Sequence, residues 1–193
     1  TLTVNGVDDP PTITEVGDQS VDEDDALTLI PVTFEDPETG DTHTIDVVSS
    51  DGNVTVANLS GNTSGSTYDL VPAADWYGTA QITVTVTDNG TVPLNDKETY
   101  TLTVTPVNDT PLVGDIPGET IAEGDAFATI ILDDYVDDVE TADADIVWTY
   151  STLTNLTVAI VGQVATIGVV DEDWNGTEVI TFTATDEGAL FSS

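Results

Sequence analysis

The chain has 193 residues and a formal net charge of −36, because 37 Asp and Glu stand against one Lys and no Arg. Such a charge repels nucleic acid and anionic membrane surfaces, which excludes both as direct partners and favours divalent cations. Cysteine is absent, so disulfides, thiolate metal sites and thiol nucleophiles are excluded.

The predicted elements are short β-strands from the first residue onward. TLTV at residues 1–4 opens the chain and recurs at residues 101–104. The clearest strand pattern is the alternation of Ile82, Val84 and Val86 with threonines, which is typical of a strand buried on one face. Pro31 predicts a bulge or an edge position in its own strand. In chain order we predict strands A to G at residues 11–21, 26–34, 44–49, 54–59, 67–71, 80–87 and 98–105.

The second half of the chain repeats the first. TLTVNGVDDPP at the start matches TLTVTPVNDTP at residues 101–111, and DWYGTAQITVTVTDNG at 75–90 matches DWNGTEVITFTATDEG at 173–188. About seven short strands in roughly 100 residues are typical of a two-sheet sandwich. We therefore predict an all-β chain of two tandem Greek-key β-sandwich domains, the second of which has strands A to F and lacks its own last strand.

The domain boundaries follow from this register. Residues 1–8 are expected to be the last strand and linker of a preceding domain, residues 9–108 the first domain, and residues 109–193 the incomplete second domain. TLTV at residues 1–4 could then complete the second domain of a neighbouring chain by strand addition, linking chains head to tail. This docking would bring Asp8 and Asp9 of one chain to Glu123 and Asp173 of the other, completing a second calcium site between chains.

Acidic residues concentrate in the loops at the ends of the predicted sandwiches. In the first domain Glu23 lies in the A–B loop and Asp75 in the E–F loop, and both loops share an end with the linker Asn108–Asp109. In the second domain the B–C and F–G loops lie at the opposite end, which faces that linker. Their acidic residues are Asp138, Glu140 and Asp186.

This placement predicts a calcium site at the junction of the two domains. Ca²⁺ takes about six to eight oxygen ligands from carboxylates, amide carbonyls and water. Carboxylates crowded without a cation repel one another, so a bound ion would lock the angle between domains and stiffen a chain of them. An acidic surface that merely holds water in a salty habitat would explain the same composition and does not exclude metal binding. Equivalent positions at the other ends extend the candidate ligands to Asp9, Asp36, Glu38, Asp88, Glu123 and Asp173.

These motifs resemble the cadherin-like, immunoglobulin-fold repeats of very large bacterial surface proteins and adhesins. The residues that carry the resemblance are VNDTP at 107–111, Glu23 in VDED, DPE at 36–38, DWYGT at 75–79 and TVTDNG at 85–90. The resemblance covers both halves of the chain. It implies calcium coordination by Glu23, Asp75, Asn108 and Asp109, with Asp138, Glu140 and Asp186 supplied by the next domain.

The predicted function is a non-catalytic, calcium-rigidified spacer, secreted or on the cell surface, that associates with neighbouring repeats of the same kind. A carbohydrate- or protein-binding module is the alternative, because Trp76 and Trp174 stand at the same corner of each copy. Tryptophans at such a corner also pack the bottom of a core. The single histidine, His43, is interpreted as a B–C loop residue, since the second copy lacks it. No enzyme is expected, because two similar sandwiches offer little concave surface for a substrate.

Overall fold

The computed structural model describes residues 1–3, 7–38 and 40–193, and divides the chain into two compact units, Thr1–Val107 and Asn108–Ser193. Val4, in the predicted first strand, lies outside the described residues. Residues 1–3 form no strand, and Leu2 is fully exposed. No helix in the described part of the chain is long and apolar enough to cross a membrane.

The first unit is a sandwich of two sheets. Its four-stranded sheet has the order β2-β9-β8-β5, and its three-stranded sheet has the order β3-β7-β6. A further pair, β1 with β4, extends beside β3. The strands are β1 Thr12–Ile13, β2 Gln19–Asp22, β3 Leu27–Val32, β4 Phe34–Glu35, β5 His43–Ser49, β6 Val54–Ala57, β7 Ser66–Pro72, β8 Gly78–Asp88 and β9 Asn95–Thr105.

Alternation along β8 builds the core of the first unit, as the sequence predicts. Ile82, Val84 and Val86 are fully buried, while the threonines between them face outward. They pack with apolar side chains from both sheets. Across the sandwich, the hydroxyl groups of Tyr68 and Tyr100 lie 2.5 Å apart and satisfy each other inside the core.

Predicted strand A is divided between two partners. β1 pairs antiparallel with β4, whereas β2 pairs parallel with β9 in the four-stranded sheet. Gly17 between them has a φ of +73°, a conformation that costs glycine little and other residues more. The single strand expected over residues 11–21 is therefore wrong, because the chain changes its partner within that range.

The irregularity predicted at Pro31 lies two residues earlier. The pairing of β3 with β7 shifts its register between Leu27 and Ile30, and β3 is an edge strand of its sheet. Leu29 within the shift has a φ of 58°, and its backbone N–H donates to the Asp69 carboxylate at 2.8 Å. Pro31 itself stays opposite Thr67.

The second unit repeats the sandwich with shorter strands. Its sheets have the orders β13-β16-β17 and β11-β15-β14, with a separate pair of β10 and β12. Two 3-10 turns, Leu132–Tyr135 and Asp143–Asp145, interrupt it. The strands are β10 Leu112–Val113, β11 Ile130–Ile131, β12 Val136–Asp137, β13 Val147–Tyr150, β14 Leu156–Val161, β15 Val164–Val169, β16 Phe182–Thr185 and β17 Phe191–Ser192.

The last strand of the second unit is reduced to two residues. β17 pairs with β16 as β9 pairs with β8 in the first unit. The second unit therefore has strands A to F, as predicted, and in addition two residues at the position of strand G. β16 has four residues where β8 has 11. Residues 119–122, which correspond to β2, form no strand.

Candidate metal sites at the acidic poles

One carboxylate organises the β8–β9 hairpin of the first unit. Asp88 ends β8, and its Oδ1 accepts hydrogen bonds from the backbone N–H groups of Gly90 and Leu94, each at 3.0 Å. The residue is only 5% exposed, and among the described residues nothing hydrogen-bonds its Oδ2. A buried carboxylate oxygen without a partner is costly, so this oxygen marks a place for a cation or a donor.

The B–C segment supplies two more carboxylates. Asp36 accepts the Glu38 backbone N–H at 3.0 Å through Oδ1 and lies 2.8 Å from His43 Nε2 through Oδ2. The hydrogen bond from His43 holds the pKa of Asp36 below its usual value. The prediction that His43 is a loop residue is wrong, since it begins β5 and contacts a candidate ligand.

Several carboxylates lie close together around Asp8. Carboxylate oxygens of Asp8, Glu38 and Asp41 lie within 4.8 Å of one another. Burial, followed by the charge of Asp88, raises the pKa of Asp8, and burial followed by the bond to Asp36 raises the pKa of Glu38. We call this cluster acidic pole 1; its members are Asp8, Asp9, Asp36, Glu38, Asp41 and Asp88.

The N-terminal end of the second unit repeats this arrangement. Asp138 Oδ1 accepts the N–H groups of Glu140 at 3.2 Å and Thr141 at 2.7 Å, as Asp36 accepts that of Glu38. Glu140 Oε2 accepts the Asp109 N–H at 2.9 Å. In the first unit, the Asp9 N–H donates to Glu38 in the same way.

A single side chain distinguishes the second cluster. Asp186, which is 4% exposed, accepts the Leu190 N–H through Oδ1 at 2.8 Å. Its Oδ2 accepts Asn108 Nδ2 at 2.9 Å, so this buried carboxylate is satisfied on both oxygens. We call this cluster acidic pole 2; its members are Asn108, Asp109, Asp138, Glu140 and Asp186.

Glycine makes room for the linker side chain in both clusters. A Cβ atom at Gly90 would overlap the Asp8 carboxylate, and one at Gly188 would overlap the Asn108 amide. Each F–G hairpin therefore keeps a position without a side chain, against which the residue at position 8 or 108 packs. The glycine of TVTDNG and of TATDEG thus has a packing role at each pole.

The other predicted ligands of the first unit lie around the A–B and E–F loops. Glu23 is 2% exposed, and its Oε1 accepts the Val107 N–H at 2.6 Å. Its Oε2 is buried and has no hydrogen-bond partner among the described residues. Asp75 donates its N–H to Asp24 Oδ1 at 3.1 Å. A single ion shared by these residues and the second domain stays a prediction.

In the second unit, the predicted ligands of the corresponding loops are exposed. Glu123 and Asp173 are both exposed, and the Asp173 N–H donates to Asp171 Oδ1 at 3.2 Å. Asp24 and Asp41 are absent from the candidate ligands predicted from the sequence, which include Asp8 only in the expected docking of one chain to another. Asp41 could have been found from the internal repeat, because GD at 40–41 aligns with AD at 142–143.

The tryptophan corners are packed. Trp76 is half-buried against the core of the first unit, and its ring covers Gly78. Trp174 is half-buried over Gly176 in the same way. This packing agrees with the core-bottom interpretation of Trp76, whereas Tyr77 beside it is 47% exposed.

Comparison with solved structures gives the fold. The chain is similar to mouse cadherin-23 EC22-24, with 20% identity and a TM-score of 0.56 over 93% of this chain and 61% of that one. It is also similar to Drosophila N-cadherin EC1-4, with 16% identity and a TM-score of 0.56 over 96% of this chain and 48% of that one. For a protocadherin gammaB7 EC3-6 cis-dimer the values are 13% and 0.53 over 95% and 46%.

The chain thus spans about half to three fifths of the length of these structures. No family model matches the sequence, and no curated protein sequence matches it. The fold is an all-β, cadherin-like β-sandwich, which confirms the all-β sandwich class predicted from the sequence.

Proposed function

We propose that this chain is a non-catalytic extracellular repeat module whose domains bind Ca²⁺ at their acidic poles and act as a stiff spacer in an adhesive surface protein. The observation that supports this most is the hydrogen-bond pattern that acidic poles 1 and 2 share. In both, the N–H of a glutamate holds the aspartate two residues before it, and the N–H of a leucine holds the hairpin aspartate. Each pole also contains a buried carboxylate oxygen that has no hydrogen-bond partner among the described residues.

The donor set favours calcium over other metals. Every candidate ligand is a carboxylate, an amide or a backbone carbonyl, which are the hard oxygen donors that Ca²⁺ takes in large number. Oxygens of Asp88, Glu38 and Asp138 are buried and have no hydrogen-bond partner within the described ranges. A cation coordinated there would satisfy these oxygens and would reduce the repulsion that, after burial, raises the pKa of Asp8.

Calcium would stiffen the chain through the linker. The Val107 N–H donates a hydrogen bond to Glu23, and the side-chain amide of the next residue, Asn108, donates one to Asp186. We therefore extend the proposal to an ion that draws ligands from Glu23 and from Asp109 and restricts the linker between them. Removal of this ion would leave the linker held by single hydrogen bonds.

The fold supports an adhesive, extracellular setting. The similar structures are extracellular cadherin domains arranged in tandem. Repeats of this kind would associate in line, within one chain or head to tail between chains. The net charge of −36 fits a protein that meets divalent cations outside the cell.

The test is a calcium titration of the 193-residue chain, followed by solution scattering and by thermal unfolding. Calcium should raise the melting temperature by about 10 °C or more and make the scattering envelope longer and better defined. The variant Asp88→Ala with Asp186→Ala should lose most of this response. The control Asp46→Asn removes one charge from an exposed position in β5 and should respond normally. If calcium changes neither the melting temperature nor the envelope, the proposal is wrong.

A further inference from the structure

His43 connects the two segments that carry the aspartates of acidic pole 1. It is the first residue of β5, and it pairs with Asp88, the last residue of β8. Its ring nitrogen Nε2 lies 2.8 Å from Asp36 Oδ2. An ionised carboxylate can only accept a hydrogen bond, so Nε2 carries the hydrogen and donates it. The imidazole therefore links the four-stranded sheet to the B–C segment.

The orientation of the ring is set by packing and by the backbone beside it. Phe34, which is 7% exposed, contacts the ring with 4.7 Å between the ring centroids. The residue before His43 is Thr42, whose backbone N–H donates to Asn89 Oδ1 in the β8–β9 hairpin at 3.0 Å. The His43 side chain is 11% exposed. A ring held in this way presents Nε2 to the carboxylate in one orientation.

Acidic pole 2 has an aliphatic side chain in this place. Val147 pairs with Thr185, which stands immediately before Asp186. The residue before Val147 is Ile146, which therefore takes the register position that His43 has in the first unit. Ile146 is 1% exposed, and its side chain cannot donate a hydrogen bond. Pole 2 thus holds its B–C aspartate without a donor from this strand.

The two B–C aspartates are accordingly held in different ways. Asp138 accepts backbone N–H groups from the residues two and three positions later, both through Oδ1. Its Oδ2 is buried and has no hydrogen-bond partner in the described part of the chain. Asp36 accepts one such N–H, from Glu38, and a second hydrogen bond from the His43 ring. The local turn orients Asp138, whereas the orientation of Asp36 also depends on a bond from the sheet.

We propose that His43 is a positioning residue for calcium at acidic pole 1, because its imidazole holds the Asp36 carboxylate against the strand pair that carries Asp88. The inference rests on the proposed calcium binding and names the side chain that orders the site. A carboxylate oxygen has two lone pairs, so the bond from His43 leaves Asp36 able to coordinate an ion. Donors behind a ligating carboxylate typically contribute about 10- to 100-fold to metal affinity.

The experiment is a calcium titration of the 193-residue chain and of His43 variants, followed by NMR. The backbone amide signals of Gly90 and Leu190 report poles 1 and 2 separately, because each amide donates to the hairpin aspartate of its own pole. His43→Ile introduces the residue found in pole 2 and should lower the calcium affinity of pole 1 by about tenfold or more. The affinity of pole 2 should stay unchanged.

Two amide variants separate the lost donor from the lost ring. The side-chain nitrogen of glutamine is as many bonds from Cα as Nε2, whereas that of asparagine is one bond nearer. His43→Gln should therefore keep the affinity of pole 1 within about threefold, and His43→Asn should lose about tenfold. Both remove the ring from its contact with Phe34. A purely structural role would give equal losses in the two variants and would overturn the inference.

A double-mutant cycle tests whether His43 acts through Asp36. In an Asp36→Asn background, His43→Ile should change the calcium affinity of pole 1 by less than about twofold, because no carboxylate is left to position. An effect of His43→Ile that is undiminished in this background would contradict the inference. In the calcium-free wild type, the imidazole nitrogen shifts should show the hydrogen on Nε2, and a hydrogen on Nδ1 alone would contradict the bond to Asp36.

The outcome is separable from that of the calcium proposal. If calcium shifts neither the Gly90 nor the Leu190 signal of the wild type, the calcium proposal and the role of His43 both fail. If the wild type binds calcium at pole 1 and His43→Ile binds it as tightly, only the positioning role is refuted.

Discussion

Acidic poles 1 and 2 are built on the same backbone but differ in their electrostatics through one residue. In pole 2, Asn108 donates to Asp186 Oδ2 at 2.9 Å and so satisfies it without an ion. In pole 1, the corresponding residue is Asp8, which cannot donate as a carboxylate, and Asp88 Oδ2 has no hydrogen-bond partner among the described residues. One amide in place of one carboxylate thus separates a hairpin carboxylate that is hydrogen-bonded on both oxygens, Asp186, from one that has an oxygen without a hydrogen-bond partner among the described residues, Asp88.

The difference suggests that the two poles respond unequally to calcium. Pole 1 has more charge to neutralise, and burial followed by the charges of its other carboxylates raises the pKa of Asp8. When pole 2 binds calcium, either the hydrogen bond between Asn108 and Asp186 is lost, or it is kept and the amide oxygen of Asn108 serves as a ligand. We expect pole 1 to gain more stability from calcium, and reciprocal substitutions can test this directly.

The largest effect is expected for Asn108→Asp. The substitution removes the only described hydrogen-bond donor to Asp186 Oδ2 and places a second carboxylate next to this buried one. Without metal, we expect the free energy of unfolding to fall by about 2 kcal/mol. Urea unfolding in a chelator, with hydrogen exchange read separately for each unit, should show the loss in the second unit. Calcium should restore most of it. A loss that persists in saturating calcium would show that the amide has another role.

The same substitution in the two hairpins should have opposite signs. Asp186→Asn turns its Oδ2 into a donor that faces the Asn108 amide, which should destabilise the metal-free second unit by about 1–2 kcal/mol. Asp88→Asn keeps the acceptor for Gly90 and Leu94 and supplies a donor towards Asp8, so the metal-free first unit should become more stable. Hydrogen exchange of the two hairpins measures both changes, and equal signs would contradict the comparison.

A smaller effect is expected for Asp8→Asn, which gives pole 1 the residue of pole 2. The amide can donate to Asp88, so the unfolding midpoint of the metal-free first unit should shift to higher urea. The calcium affinity of pole 1 should fall about tenfold, because a site with fewer charges binds calcium less tightly. Isothermal titration calorimetry measures the affinity. An unchanged affinity would show that Asp8 is not a ligand.

The smallest effect concerns a carboxylate that only the second unit has. The Glu178 carboxylate accepts hydrogen bonds from the backbone N–H groups of Thr154, Asn155 and Leu156. These bonds, that from Thr154 most of all, lower the pKa of Glu178 below its usual value of 4.5. Since the folded-state pKa is lowered, its contribution is present above pH 4.5 and is lost as the pH falls. Stability curves between pH 7 and 3.5 should therefore converge for the wild type and Glu178→Gln in acid. Ala80 occupies the corresponding position of the first unit, so that unit should show no such difference.

The sequence alone predicts the repeat, the strands and the loops that carry the acids. Alternating β-branched residues identify β8 and part of β16 because one buried face forces a period of two. The charge of the chain and the repeated DPE, VNDTP and TDNG motifs identify Asp36, Glu38 and Asp88 as candidates. These inferences depend on local pattern, which a single chain displays in full.

Only the tertiary structure decides which of these groups meet. The crowding of Asp41 with Asp8 and the division of strand A arise from segments far apart in the chain, and the contact of His43 with Asp36 depends on the start of β5. Register between strands sets them, and no local pattern records it.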